Sequence, residues 1–307
     1  MTRYRNTQEL IGNTPLVELT KFPLPEGVRF FAKLEFYNPG GSIKDRLGQE
    51  LINDALRSGK ITNGGTIIEP TAGNTGIGLA LAAIDKDVSV TFCVPEQFSM
   101  EKQELMKALG ATIVHTPTEK GMRGAIAKAE QLVRETPNSY SPQQFANDAN
   151  PATYYKTLGP EIWRDLEGEV DVFVAGAGTG GTFMGTARYL KEQNQAVKTA
   201  IVEPEGSVIA GGKSGPHKTE GIGMEFLPDY MDRSYFDAIH TVPDEIAFDY
   251  VKKLAAMEGL LVGSSSGAAC YAGLQEALQA KPGTNIVTVF PDSSERYLSK
   301  RIYQGGV

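Results

Sequence analysis

Ala175-Gly176-Ala177-Gly178-Thr179-Gly180-Gly181-Thr182 joins a β-branched run at 170–175 to a helical pattern at 182–193. A glycine-rich turn that leaves a strand and opens a helix belongs to parallel α/β sheets, so this octapeptide decides the fold class. On either side of it short apolar runs alternate with helical periodicity. Strands are expected at 28–34, 66–69, 88–94, 112–115, 198–203, 238–242 and 285–290, and helices at 43–57, 74–85, 99–109, 121–135, 151–165, 244–257 and 266–279. The expected fold is α/β, with open, mostly parallel twisted sheets flanked by helices.

A chain of 307 residues exceeds what a single core usually serves. The turn-rich stretch at 142–151 sets the expected break, giving domains 1–146 and 147–307, with the first ~40 residues free to cross to the other domain. The hydrophobic fraction of 41% supplies ample core, and the net charge of −7 argues against a nucleic-acid or anionic-membrane partner. The start, Met1 to Leu10, lacks the apolar stretch of a secretory signal, and no later run is long enough to span a bilayer, so a cytoplasmic protein is expected. Cys93 and Cys270 are far apart, and His115, His217 and His240 are scattered. Neither a disulfide framework nor a metal site is expected.

Backbone N–H groups of the 175–182 turn can cup a phosphate, helped by the partial positive charge of the helix start. Gly176, Gly178 and Gly181 also satisfy Gly-x-Gly-x-x-Gly, and Glu203 ends the next strand where a dinucleotide fold places its ribose acid. A nicotinamide-dependent oxidoreductase is therefore a rival reading, although it gives no work to two other motifs.

One of these is Glu69-Pro70-Thr71-Ala72-Gly73-Asn74-Thr75-Gly76, again strand, loop, then helix. Its N–H groups and hydroxyls suit a carboxylate, and equally Asn74 could do no more than cap a helix. The other is Asn38-Pro39-Gly40-Gly41-Ser42-Ile43-Lys44-Asp45-Arg46, in which Ser42 is expected to cap a helix starting at Ile43, with Asp45 in the reciprocal position. That fixes Lys44 in a first helical turn, where an ammonium is disfavoured and a Schiff base is easier to form; the alternative is a solvated lysine. Ser264-Ser265-Ser266-Gly267 and Pro291-Asp292-Ser293-Ser294 stand at helix starts or strand ends, and can be read either as caps or as ligand groups. The irregular, glycine-rich stretch 204–228 is long enough to carry function.

In order and spacing these motifs closely resemble the cysteine synthase and cystathionine β-synthase family, pyridoxal-phosphate enzymes of fold type II. The likeness runs from Glu9-Leu10-Ile11-Gly12-Asn13-Thr14-Pro15-Leu16 to Glu295-Arg296-Tyr297-Leu298-Ser299. It implies a homodimer acting on small amino-acid substrates, with the cofactor held between two α/β domains. It also implies that Lys44 forms the Schiff base and that Gly178, Thr179, Gly180, Gly181 and Thr182 hold the cofactor phosphate. By the same resemblance Asn74 meets the phenolic oxygen and Ser265 the pyridine nitrogen, while Thr71, Gly73, Thr75 and Gln144 take the substrate carboxylate. A neutral serine at the pyridine nitrogen weakens the ring as an electron sink, which suits β-replacement better than transamination.

Two departures bear on the acceptor. Ala72 stands where cysteine synthases commonly carry serine, and Glu225 where they carry glycine; cystathionine synthases place an acid at the latter position. Homocysteine brings a distal ammonium that sulfide lacks, so Glu225, with Glu220 and Gly221 of the same loop, is a candidate acceptor contact, or else a solvated charge. The chain shows neither the haem-binding extension nor the regulatory module of the animal enzymes and resembles the stand-alone bacterial type. The expectation is β-replacement joining O-acetylserine and homocysteine to give cystathionine and acetate. The alternatives are a cysteine synthase using sulfide and a non-catalytic scaffold of the same fold.

Overall fold

The computed structural model describes residues 3–71 and 73–305. In chain order the elements are β1 (Leu16–Glu18), β2 (Arg29–Leu34), α1 (Lys44–Arg57), β3 (Gly65–Glu69), α2 (Asn74–Ala83), β4 (Val88–Pro95), α3 (Met100–Ala108), β5 (Thr112–Thr116), α4 (Gly121–Glu135) and β6 (Ser139–Tyr140). There follow α5 (Ala149–Lys156), α6 (Leu158–Asp165), β7 (Val172–Gly176), α7 (Gly181–Gln193), β8 (Lys198–Pro204), β9 (Ala238–Val242), α8 (Asp244–Lys253), α9 (Ser264–Leu278) and β10 (Asn285–Phe290). Among the described residues no helix is long and apolar enough to cross a membrane.

The chain divides into two compact units, one of Met1–Ile11 with Asn38–Asn150, the other of Gly12–Tyr37 with Pro151–Val307. The first contains a parallel sheet in the order β5-β4-β3-β6. Its helices α1 and α2 pack with backbones almost touching: a Cβ on Gly48 would stand 2.2 Å from the carbonyl carbon of Gly78. The crossing needs these two glycines, and it sets α2 against the first turn of α1.

The second unit holds a six-stranded sheet in the order β1-β2-β10-β7-β8-β9. All its pairings are parallel except β1 with β2, which run antiparallel from Leu16↔Lys33 to Glu18↔Phe31. Every residue of β10 is buried, as a central strand with neighbours on both sides requires, and its Ile286 and Phe290 join Phe30, Val174 and the α9 face in one core. Each such Phe or Leu stabilises by about 1.5–3 kcal/mol on burial.

Two expectations on helices need correcting. The helix read at 151–165 is two, α5 and α6, broken at Thr157 (φ −122°, ψ −69°). Pro160 is the cause: it lacks an N–H and its ring would clash with the carbonyl four residues back, so it is tolerated only in the first turn of a new helix. The helix read at 244–257 is regular only to Lys253 and finishes as a wider π turn, Leu254–Glu258, ended by left-handed Gly259.

Candidate active site

In the first unit α1 starts at Lys44, one residue later than expected, with Ile43 (φ −55°, ψ −21°) ahead of it. Ser42 Oγ accepts from the Lys44 N–H at 3.2 Å, so the serine does serve the helix start. Asp45 does not make the reciprocal bond to Ser42. Its carboxylate reaches farther back and accepts from the Gly40 N–H at 2.5 Å. The contact needs glycine, because a Cβ on residue 40 would stand 2.4 Å from Asp45 Oδ1. Lys44 is thereby set, half-buried, in a first turn whose preceding loop is tied down from both sides.

Helix α2 packs against this turn at Gly78. The N-cap residue is Gly73 (φ −122°, ψ −160°), so Asn74 stands inside the first turn and is not the cap. Thr71 and Thr75 are buried, and Thr71 Oγ1 accepts from the Gly73 N–H at 3.4 Å. The Thr75 hydroxyl donates to Gln144 Oε1 at 2.9 Å. Of the expected carboxylate-binding set, the unit therefore joins Thr71, Gly73, Thr75 and Gln144 through adjoining segments; Ala72 lies outside the described residues.

In the second unit β7 ends at Gly176 and α7 begins at Gly181, with Gly180 (φ 84°) as its N-cap and no side-chain cap bond. The first-turn N–H groups are thus left for an anion, the weak 3.4 Å bond from Gly181 N–H to Thr179 Oγ1 apart. The turn is also walled in. A Cβ on Gly178 would stand 2.3 Å from the Gly221 carbonyl oxygen, and one on Gly180 2.1 Å from Met231 Sδ. A helix start stripped of side chains and of caps fits the phosphate of pyridoxal phosphate.

The stretch 204–228 runs beside this turn. Gly223 N–H donates to the Ala177 carbonyl at 2.9 Å, and Glu220 N–H donates to Ser264 Oγ at 3.0 Å. Ser265, buried in the first turn of α9, has its hydroxyl oxygen 3.7 Å from where a Cβ on Gly221 would be. Gly221, Ser265 and Gly178 therefore converge. Glu220 is ion-paired with Lys300. Glu225 is exposed, and among the described residues it has no hydrogen-bond or ion-pair partner.

Glu203 does not serve as the acid of a dinucleotide site. It is 1% exposed; its Oε2 accepts from the Ile209 N–H at 2.8 Å and its Oε1 from the Ala210 N–H and the Thr241 hydroxyl, each at 3.0 Å. The carboxylate is spent inside the protein. Cys93 and Cys270 are both fully buried; burial pushes the Cys93 thiol up to about 11 and Cys270 well above its ordinary value. Neither is poised as a nucleophile. Among the described residues no cluster of three His, Cys, Asp or Glu side chains could hold a metal.

Sequence reasoning passed over three groups that position the site. The Tyr230 hydroxyl donates to the Thr179 carbonyl at 2.8 Å, tethering the glycine-rich turn. Asp244 accepts from the Lys218 and Thr219 N–H groups at 2.6 and 2.8 Å and from the Thr219 hydroxyl at 2.6 Å. Burial alone would raise the Asp244 carboxyl, but these bonds hold it below its ordinary value. The third is Glu69, 2% exposed, which accepts from the Ser141 hydroxyl and the Gln143 N–H. Only Asp244 carried a local signal, as an acid just after Pro243 in a first helical turn.

Comparison with known proteins gives a consistent picture. Residues 7–292 match the family described as pyridoxal-phosphate dependent enzyme. Over all 307 residues, and the full length of both chains, the sequence is 65% identical to the O-acetylserine dependent cystathionine beta-synthase of Bacillus subtilis (strain 168). It is 53% identical over 298 residues to a cysteine synthase of Helicobacter pylori (strain ATCC 700392 / 26695), covering 96% of this chain and 97% of that one. A crystal structure of O-acetylserine dependent cystathionine beta-synthase from Helicobacter pylori superposes with a TM-score of 0.94 at 52% identity, covering 99% of this chain and all of the other.

Proposed function

Since the chain belongs to the pyridoxal-phosphate dependent enzyme family, we propose that it catalyses a β-replacement in which O-acetylserine and homocysteine yield cystathionine and acetate. The acceptor assignment is carried by Glu225, an exposed carboxylate without a partner among the described residues. An ammonium at the far end of homocysteine would offset that charge, and sulfide offers none. The similarity to the Bacillus subtilis synthase supports the same acceptor. The similarity to a cysteine synthase keeps sulfide as the second reading.

Pyridoxal phosphate, when bound, supplies an electron sink for charge at the substrate α-carbon and so eases departure of a β substituent. The proposed roles of the chain's own groups follow from their placement. Lys44 is the point of covalent attachment and, once released, the base that takes the α proton and later returns one. Gly178, Thr179, Gly180, Gly181 and Thr182 present N–H groups and hydroxyls to the phosphate dianion, while Asn74 donates to the phenolic oxygen. Ser265 would offer the ring nitrogen a neutral hydroxyl, a partner that does not hold that nitrogen protonated and so suits β-replacement better than transamination. Thr71, Gly73, Thr75 and Gln144 bind the substrate carboxylate. Glu220 is charge-balanced by Lys300, so Glu225 is the stronger partner for a cationic acceptor. The proposed working form is a cytoplasmic homodimer.

Two measurements test this reading. Borohydride reduction of the holoenzyme followed by peptide mass mapping should place the cofactor adduct on Lys44, and an adduct elsewhere overturns the scheme. With sulfide and homocysteine in competition, Glu225→Gly should lower homocysteine use relative to sulfide by about tenfold, the scale of one charge-assisted contact. Unchanged partitioning would remove Glu225 from the acceptor site.

A further inference from the structure

We infer that Glu69 is a positioning residue for donor binding: its buried carboxylate holds the 141–144 segment in the one conformation that lets Gln144 meet Thr75. The inference rests on the reading of Thr71, Gly73, Thr75 and Gln144 as the carboxylate-binding set and deepens it.

Glu69 is the last residue of β3, two residues ahead of Thr71. A single oxygen, Oε2, accepts from the Ser141 hydroxyl at 2.9 Å and from the Gln143 N–H at 3.2 Å. Gln143 has φ 51°, a left-handed conformation that a glutamine rarely adopts and that its surroundings must impose. The next residue, Gln144, turns its side-chain oxygen to the Thr75 hydroxyl at 2.9 Å, while Asn150 Nδ2 donates to its main-chain carbonyl at 2.8 Å. Strand end, loop and helix start are thus linked in series: Glu69 to Gln143, then Gln144 to Thr75.

The choice of a carboxylate is itself informative. Burial is the main influence on Glu69 and pushes its carboxyl up, against bonds from Ser141 and the 143–144 backbone that pull it down. A buried acid costs stability that an apolar side chain would not. In return it offers an acceptor strong enough to hold an N–H and a hydroxyl together, and so to keep a left-handed glutamine in place. The sheet of the second unit repeats the arrangement, with Glu203 near the end of β8 accepting the N–H groups of Ile209 and Ala210.

Steady-state kinetics of the holoenzyme test the role, combined with hydrogen exchange across 141–146. Glu69→Ala should raise KM for O-acetylserine about tenfold with kcat within about threefold, and should speed exchange at 142–145, as loss of a charge-assisted anchor predicts. Glu69→Gln keeps one acceptor oxygen and should recover most of both losses. A donor KM unmoved in Glu69→Ala, or a fall in kcat with KM unchanged, overturns the proposal. Gln144→Ala separates the two levels of argument: if it leaves donor KM unmoved, the carboxylate-binding reading itself fails, whatever Glu69 does to exchange. Should Glu69→Ala not fold, Ser141→Ala carries the same comparison, and normal exchange with normal KM in that variant overturns the role.

Discussion

The Cα of Gly78 lies directly against the main-chain carbonyl of Lys44: a Cβ added at residue 78 would stand 2.3 Å from that oxygen. The residue proposed to carry the cofactor is thus seated by the backbone of a neighbouring helix, and Gly48 makes the converse contact one turn along α1. Because both partners at the contact are backbone, neither can rotate away.

Gly78→Ala should therefore displace the first turn of α1. The expected outcome is a loss of about 1–3 kcal/mol in denaturant unfolding, the usual cost of overpacking. Borohydride-trapped cofactor per chain should fall with it. Full trapping together with unchanged stability would show that the helix crossing can yield without moving Lys44.

The glycine-rich turn proposed to hold the phosphate makes a sharper demand. Gly180 combines φ 84° with a Cβ position 2.1 Å from Met231 Sδ. Gly180→Ala should weaken cofactor retention in equilibrium dialysis by at least about tenfold, backbone strain of ~1–3 kcal/mol falling on the very N–H groups proposed to bind the dianion. Adding Met231→Ala should relieve the contact but not the positive φ, giving only partial recovery.

How far the sequence was legible follows from the range of the forces at work. β9 and β10 fall where they were read, Ala238–Val242 and Asn285–Phe290, since continuous β-branched runs between turn residues carry their own signal. β1 and β6, of three and two residues, are below the length at which alternation can be counted. They exist because β2 and β3 offer free edges. The glycine turn before α7 and the first-turn placement of Lys44 were readable because capping and turn chemistry are local. The bonds of Glu69 to Ser141 and of Tyr230 to Thr179 span 72 and 51 residues, and nothing local in the sequence announces them; Asp244 is marked by its place in a first helical turn, but its partner 25 residues away is not. Glu203 shows the converse error: the right residue type at the right spacing, already consumed by its own loop.

Asp244 makes a pH prediction with a definite sign. Its carboxyl is held below the ordinary 3.8, so ionisation is favoured in the folded chain relative to the unfolded one. The resulting stability is present above pH 3.8 and lost as pH falls through the lower folded value. Asp244→Asn should therefore be less stable than the parent by ~1 kcal/mol at about pH 5–7, a modest figure because the carboxyl is partly solvated. The difference in melting temperature between the two should shrink on acidification below that range. A gap that stays constant down to the acid limit would mean that shape, not charge, holds the 218–219 strap.

Lys33 provides a stability test away from the chemistry. It is fully buried on β2, its ammonium donating to the Thr14 carbonyl at 2.6 Å and to Asp165 Oδ2 at 2.7 Å, with Glu161 Oε2 at 3.3 Å. Asp165 keeps a second cation, Arg164, at 2.7 Å. Lys33→Met should cost about 3 kcal/mol, the lower end for breaking a buried ion pair, because Asp165 remains paired with Arg164. Lys33→Met combined with Glu161→Gln should regain part of that loss, since one of the two negative charges that faced the ammonium is then removed. If the double variant is no more stable than the single one, lost packing of the lysine stem outweighs the charge, and the ammonium matters chiefly as a donor to the Thr14 carbonyl.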